Sequence, residues 1–226
     1  MIGTSFQSID VENTISIQDI KAKGLVGIDW DSFELGDTLM IWSAEEQAYS
    51  VTLYYTGDEQ TESMDMYGVE AGTWFDMDMF CTAEMTLENG DAFWVDSSVE
   101  NATAVVAGEV PSVANSIKIL PGFNMVANPY PKAVKVNELF SISGIQGVDW
   151  DSFELGDTLE IWSAEEQAYS ITLYYTGDEQ TESMDMYGVE AGTWFDMDMF
   201  AATDVEIPAG GAFWVNSKVE TTLIFK

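Results

Sequence analysis

Residues 27–80 of this chain occur again as residues 147–200, at a constant offset of 120. Only three of the 54 positions differ: Ile28/Val148, Met40/Glu160 and Val51/Ile171. No other feature constrains folding as strongly, because both copies must build the same unit and bury the same face. The match continues more loosely through Ala92-Phe93-Trp94-Val95 and Ala212-Phe213-Trp214-Val215, and all eight Trp lie within it, four in each copy. Upstream it fades, with Met1-Ile2-Gly3-Thr4-Ser5-Phe6 lining up with Met125-Val126-Ala127-Asn128-Pro129-Tyr130. The second copy also carries Ser116-Ile117-Lys118-Ile119-Leu120, for which the first has no counterpart. The expected organisation is a first module over residues 1–107 lacking its leading strand, a linker at 108–115, and a second module over 116–226.

Within each copy the pattern is that of strands. Residues 38–42 and 48–55 are rich in β-branched and aromatic side chains and alternate in polarity, with a polar stretch of hairpin length between them. Residues 205–207, the turn Pro208-Ala209-Gly210-Gly211 and residues 212–215 repeat the signature, and 221–225 makes a final strand. Only residues 17–20 and 136–140 read as single helical turns. Short strands with turn signals at this spacing predict an all-β chain of two tandem antiparallel β-sandwich or barrel-like modules.

Composition enters as a set of exclusions. Asp and Glu number 40 against seven basic residues, all of them Lys, for a formal net charge of −33; there is no Arg and no His. Nucleic-acid affinity rests on Lys and Arg displacing counterions, so the charge argues against a nucleic-acid partner, and against anionic membranes for the same reason. No stretch approaches the roughly 20 apolar residues of a spanning helix. The first residues lack the basic start and apolar run of a signal peptide. Without His, imidazole catalysis and imidazole ligation of zinc are impossible. The single cysteine, Cys81, has Ala201 as its repeat mate and reads as a small buried hydrophobe. Paired carboxylates could serve a glycosidase, but nothing singles out one pair, and no enzyme activity is expected.

Acidic residues concentrate in the block that repeats most faithfully. Asp29, Asp31, Asp76 and Asp78 recur as Asp149, Asp151, Asp196 and Asp198, and no Lys occurs between positions 23 and 118 or between 135 and 218. Such carboxylates must be solvated or hold cations. The ion they would take is calcium, hard and oxygen-seeking, although no Asp-x-Asp-x-Asp-Gly loop is present. Trp74, Trp194 and the pairs Tyr54-Tyr55 and Tyr174-Tyr175 would stack on sugar rings if exposed, and would fill the core if not. The Ile/Val exchanges keep shape, as a packed core demands. Met40/Glu160 does not. With Leu39 and Ile41 facing inward, residue 40 faces outward, so Glu160 is expected in solvent and Met40 is an exposed apolar residue or meets a partner.

The run Gly122-Phe123-Asn124-Met125-Val126-Ala127-Asn128-Pro129-Tyr130-Pro131, followed by residues 134–139 and later by Gly211-Ala212-Phe213-Trp214-Val215, resembles β-rich modules of bacterial exported and cell-surface proteins. In those, a G-x-N-x-x-x-N-P-Y-P turn opens the module and a G-x-x-F-W strand comes near its end. The resemblance covers most of the second copy; in the first the turn is reduced to Gly3-Thr4-Ser5-Phe6. It implies secretion and surface display rather than one reaction.

These features together predict a structural, self-assembling subunit of an extracellular or cell-surface filament or layer, joined head to tail with copies of itself. The missing strand would leave an edge of unpaired N–H and C=O groups that invites another chain. The expected contact residues are Met40, Ile117 and Ile119, with Leu223 and Phe225 on a C-terminal strand offered to a neighbouring subunit; the alternative donor is the segment 110–120, working within one chain. The alternative is a calcium-assisted adhesin or carbohydrate-binding module.

Overall fold

Polarity alternation turns into antiparallel pairing throughout the computed structural model, which describes residues 15–88, 90–100, 102–105, 116–163, 166–203 and 205–225. The expected linker at 108–115 and the segment 1–6 lie outside the described residues. The N-terminal half supplies β1 (Lys21–Lys23), β2 (Thr38–Ser43), β3 (Ala48–Tyr55), β4 (Trp74–Asp76), β5 (Cys81–Thr82), β6 (Phe93–Asp96) and β7 (Thr103–Val105). The C-terminal half supplies β8 (Ser116–Ile119), β9 (Gly122–Ala127), β10 (Phe140–Ser143), β11 (Thr158–Ser163) and β12 (Ala168–Tyr175). It continues with β13 (Trp194–Asp196), β14 (Ala201–Ala202), β15 (Ala212–Ser217) and β16 (Thr221–Phe225). The fold is all-β apart from short helices.

The larger sheets run β5-β4-β3-β2-β6 and β9-β15-β11-β12-β13-β14. Their registers coincide at the repeat offset: Leu39 opposes Leu53 and Val95, and Leu159 opposes Leu173 and Val215. A bulge falls at the same place in both hairpins, between Ile41 and Trp42 and between Ile161 and Trp162. Inward residues of the first sheet join Trp74 in one core, and Leu159, Leu173, Phe213 and Val215 join Trp194 in the other. Each such side chain contributes about 1.5–3 kcal/mol by leaving water. Repeat mates are buried alike, Trp30 and Trp150 at 4% and 3% exposure, Trp94 and Trp214 at 5% and 6%.

One buried carboxylate ties each half together. Asp37 accepts from the backbone of Val26 and Ser98 (both 2.9 Å) and from the hydroxyls of Ser97 (3.0 Å) and Ser98 (2.8 Å). Asp157 accepts from Gln146 N–H (3.0 Å), Ser217 Oγ (2.9 Å) and Lys218 N–H (2.9 Å). Burial alone would raise the Asp37 carboxyl; its four donors outweigh that and hold it below the ordinary range. Beside these anchors the loops close tightly: a Cβ on Gly27 would lie 2.4 Å from the Gly57 Cα, so only glycine fits.

Two elements depart from the sequence reading. Glu62–Tyr67 and Glu182–Tyr187 are helices, where only strands were expected. Thr61 caps the first through its side chain, which accepts from Met64 N–H, and Gly68 ends it at φ 69°. Those are the signals a helix needs at its two ends. The alternation Met64-Asp65-Met66 imitates a strand, yet Met64 is buried while Met66 is exposed.

The halves differ at their edges. In the smaller sheet of the C-terminal half, β16 lies between β8 and β10. Its counterpart β7 pairs with β1 alone among the described residues, and β6 ends its sheet where β15 is extended by β9. Among the described residues no helix is long and apolar enough to cross a membrane.

Candidate functional site

The carboxylates expected to hold calcium are engaged in turns. Asp29 Oδ1 accepts the backbone N–H of Asp31 (2.9 Å) and Ser32 (3.2 Å), and Asp76 Oδ1 those of Asp78 and Met79 (both 2.9 Å). Asp149 and Asp196 repeat both turns. Asp31 accepts the Ser63 hydroxyl and Asp151 that of Ser183, while Asp78 and Asp198 face solvent. The Ser32 and Asp31 backbone N–H groups hold the Asp29 carboxyl low; for Asp149 the Ser152 hydroxyl leads. Among the described residues, no three acidic or thiol groups converge as a metal site requires.

What these turns present is aromatic. Phe33 and Phe80 sit at their tips with φ of 57° and 51°, and Phe153 and Phe200 repeat this at 56° and 50°. Left-handed backbone costs a bulky residue about 1–3 kcal/mol, met here by the carboxylate-closed turns. Phe33, Tyr67 and Phe80 form an exposed triangle with centroids 5.3–6.4 Å apart. The aromatic residues proposed as sugar platforms are elsewhere: Trp74, Trp194, Tyr55 and Tyr175 are buried, and Tyr54 and Tyr174 are partly buried against core clusters. Large rings on inward strand positions fill the core. Cys81, read as buried, is exposed on the short edge strand β5.

The expected contact residues lie inside one chain. Leu223 and Phe225 are fully buried on β16, paired on both sides, and Ile119 is equally buried. Ile117 packs against Gly90 of the other half, where an added Cβ would meet its side chain at 2.5 Å. Met40 is half-buried and stands opposite Trp94, whose indole packs against Trp162 of the C-terminal half. The C-terminal strand is therefore part of its own core, and the apolar side chain of Met40 belongs to a face that meets the other half.

That face forms a seam with two-fold character. Trp42 packs on Trp214 (4.9 Å, 89°) and Trp94 on Trp162 (5.1 Å, 76°), and these are exchanged repeat mates. Such reciprocal contact is what a symmetric dimer of one module would make. Met125, Ala127 and Ala212 of the second half pack onto the first core. Trp42 Nε1 donates to Phe123 O (2.8 Å), and Gln47 brackets the same peptide, accepting from Phe123 N–H (2.7 Å) and donating to Phe123 O (3.0 Å). On the mirrored side, Trp162 Nε1 is buried with no partner among the described residues.

Beside Trp42 the seam opens into a cleft of about 290 Å3, lined by Trp42, Tyr49, Phe123, Glu160, Tyr169 and Trp214. Burial pushes the Glu160 carboxyl up. Tyr169 is pushed up by burial and by the Glu160 charge. Glu160 was expected in solvent; it is half-buried among rings because the outward face of its sheet is covered by the other half. The sequence signal for this site was the Met40/Glu160 exchange. Its partners, spread over positions 42 to 214, converge only in the fold. Comparison with protein families, curated proteins and solved structures finds no match.

Proposed function

We propose that this chain is a structural subunit that assembles with copies of itself outside the cell, through edge-to-edge strand contacts. One observation carries the reading: β7 pairs on one side only among the described residues, whereas β16 is covered on both. An open edge recruits another strand through its unpaired backbone groups. Val105 on β7 is 59% exposed. The strand to meet it is β8 of a neighbour, itself the edge of its sheet among the described residues. Two different edges in contact make a heterologous, head-to-tail join, and an unclosed rotation gives a filament. The acidic, Arg-free composition and the Asn128-Pro129-Tyr130-Pro131 turn support surface display.

The test is sedimentation velocity and negative-stain microscopy across a concentration series, with Val105→Lys as comparator. A charged edge residue discourages pairing, so polymers of the parent are expected to be lost in the variant. A parent that stays monomeric, or a variant that polymerises equally, overturns the reading.

A second reading, an adhesive or carbohydrate-binding pair, is favoured by the duplicated Phe33-Tyr67-Phe80 triangle and its mate. Retention on immobilised polysaccharide, abolished by Phe80→Ala with Phe200→Ala, would support it; no retention would exclude it. Its calcium-assisted form requires that chelation lower the melting temperature.

A further inference from the structure

We propose that the seam cleft binds a small quaternary ammonium cation. Its wall consists of five aromatic rings and one carboxylate, contributed by both halves. Ring faces attract cations through their quadrupole, most strongly where water is excluded, and aromatic cages with this composition suit alkylated ammonium groups. The alkyl faces lie on the rings while the charge meets Glu160.

The rings are held before any ligand arrives. Trp42 packs edge-on against Tyr49 (5.3 Å) and Trp214 (4.9 Å), and Phe123 stands edge-on to Trp214 (6.1 Å). The bonds from Trp42 and Gln47 to the Phe123 peptide fix the third wall. Tyr169 is held edge-on by Trp162 (5.1 Å). A pre-organised wall loses little entropy on binding.

Other occupants fit poorly. Calcium takes about six to eight oxygens, and the cleft offers one carboxylate and two phenols. Anions meet Glu160 and a chain of net charge −33. A primary ammonium is strongly hydrated and gains less from rings than an alkylated one. The cleft volume lies at the small end of ligand pockets, which begin near about 300 Å3, so the ligand is a head group of choline size.

The repeat supplies an internal comparison. Of 54 matched positions, Met40/Glu160 is the one exchange that alters chemistry, and the acid falls in this cleft. The mirrored position has Met40, opposite Trp94, where this cleft has Glu160. One site per chain is expected.

The experiment titrates the full chain with choline chloride, read by tryptophan fluorescence and by calorimetry. Sodium chloride at matched ionic strength is the salt control, and 3,3-dimethyl-1-butanol keeps the shape without the charge. Choline is expected to saturate one site, with the neutral analogue at least about tenfold weaker. Glu160→Gln and Glu160→Met should each weaken choline about tenfold; methionine occupies the mate position, so that variant is compatible with the sheet. No saturable response beyond the salt control overturns the proposal. So does equal binding of the neutral analogue, or unchanged affinity in both variants.

Discussion

The two halves of this protein share a sheet and differ in what covers it. β2 and β11 carry the same residues except at one position and hold the same register with their neighbours. Yet the Trp42 indole has an acceptor while that of Trp162 has none among the described residues. Likewise, among the described residues, β16 is flanked on both sides and β7 on one. The difference shows that a repeated segment fixes its own hairpins and core, while accessory strands from the non-repeated segments decide which edges and faces remain available. A single exchange at the seam, Met40 for Glu160, adds a change of chemistry to that difference in cover.

The largest effects are expected in the two cores. Trp74→Ala and Trp194→Ala should each cost about 3–5 kcal/mol, as truncation of a buried aromatic does, and the two losses should agree within about 1 kcal/mol. Denaturant unfolding measures both, and a large inequality would show that the cores are not equivalent. Next come the buried carboxylates. Asp37→Ala should cost about 1.5–3 kcal/mol, the range for hydrogen bonds to a charged group, and slightly more than Asp157→Ala, which forfeits one hydroxyl donor fewer. Because folding depresses the Asp37 carboxyl, its contribution is complete above the ordinary Asp value of about 3.9 and fades as pH falls through the lowered one. Acid titration of stability should therefore be flatter in Asp37→Ala than in the parent.

Smaller effects sharpen the contrast at the seam. Trp42→Phe should cost about 1 kcal/mol more than Trp162→Phe, since only the former breaks a hydrogen bond; equal melting shifts would mean that Trp162 also has an acceptor. The smallest concerns Glu160. Its carboxyl is raised in the fold, so its ionisation opposes folding near neutral pH, and stability from this group grows as pH falls through the raised value. Glu160→Met should gain about 1 kcal/mol at pH 7, and the gain should vanish in acid.

Much of the fold was legible because strand alternation needs only neighbours in sequence. Ala48–Tyr55 and Thr221–Phe225 occupy the residues their patterns indicated. Glu62–Tyr67 was missed because acidic and apolar residues alternate in it as in a strand; the decisive signals, Thr61 and Gly68, lie outside the alternation. The role of the C-terminal strand was misplaced because an apolar terminal strand reads the same whether it fills its own sheet or another's. The cleft was illegible for a different reason. Its six lining residues come from both halves, and only Met40/Glu160 marked the face on which they meet.

Amide hydrogen exchange at β7 and β16, measured at low and at assembling concentrations, tests self-assembly through the open edge most directly. Expected is rapid exchange at Thr103–Val105 in dilute solution, strong protection there on assembly, and slow exchange at Thr221–Phe225 throughout. Protection of β7 equal to that of β16 in the dilute monomer, or no change in β7 on assembly, would contradict it.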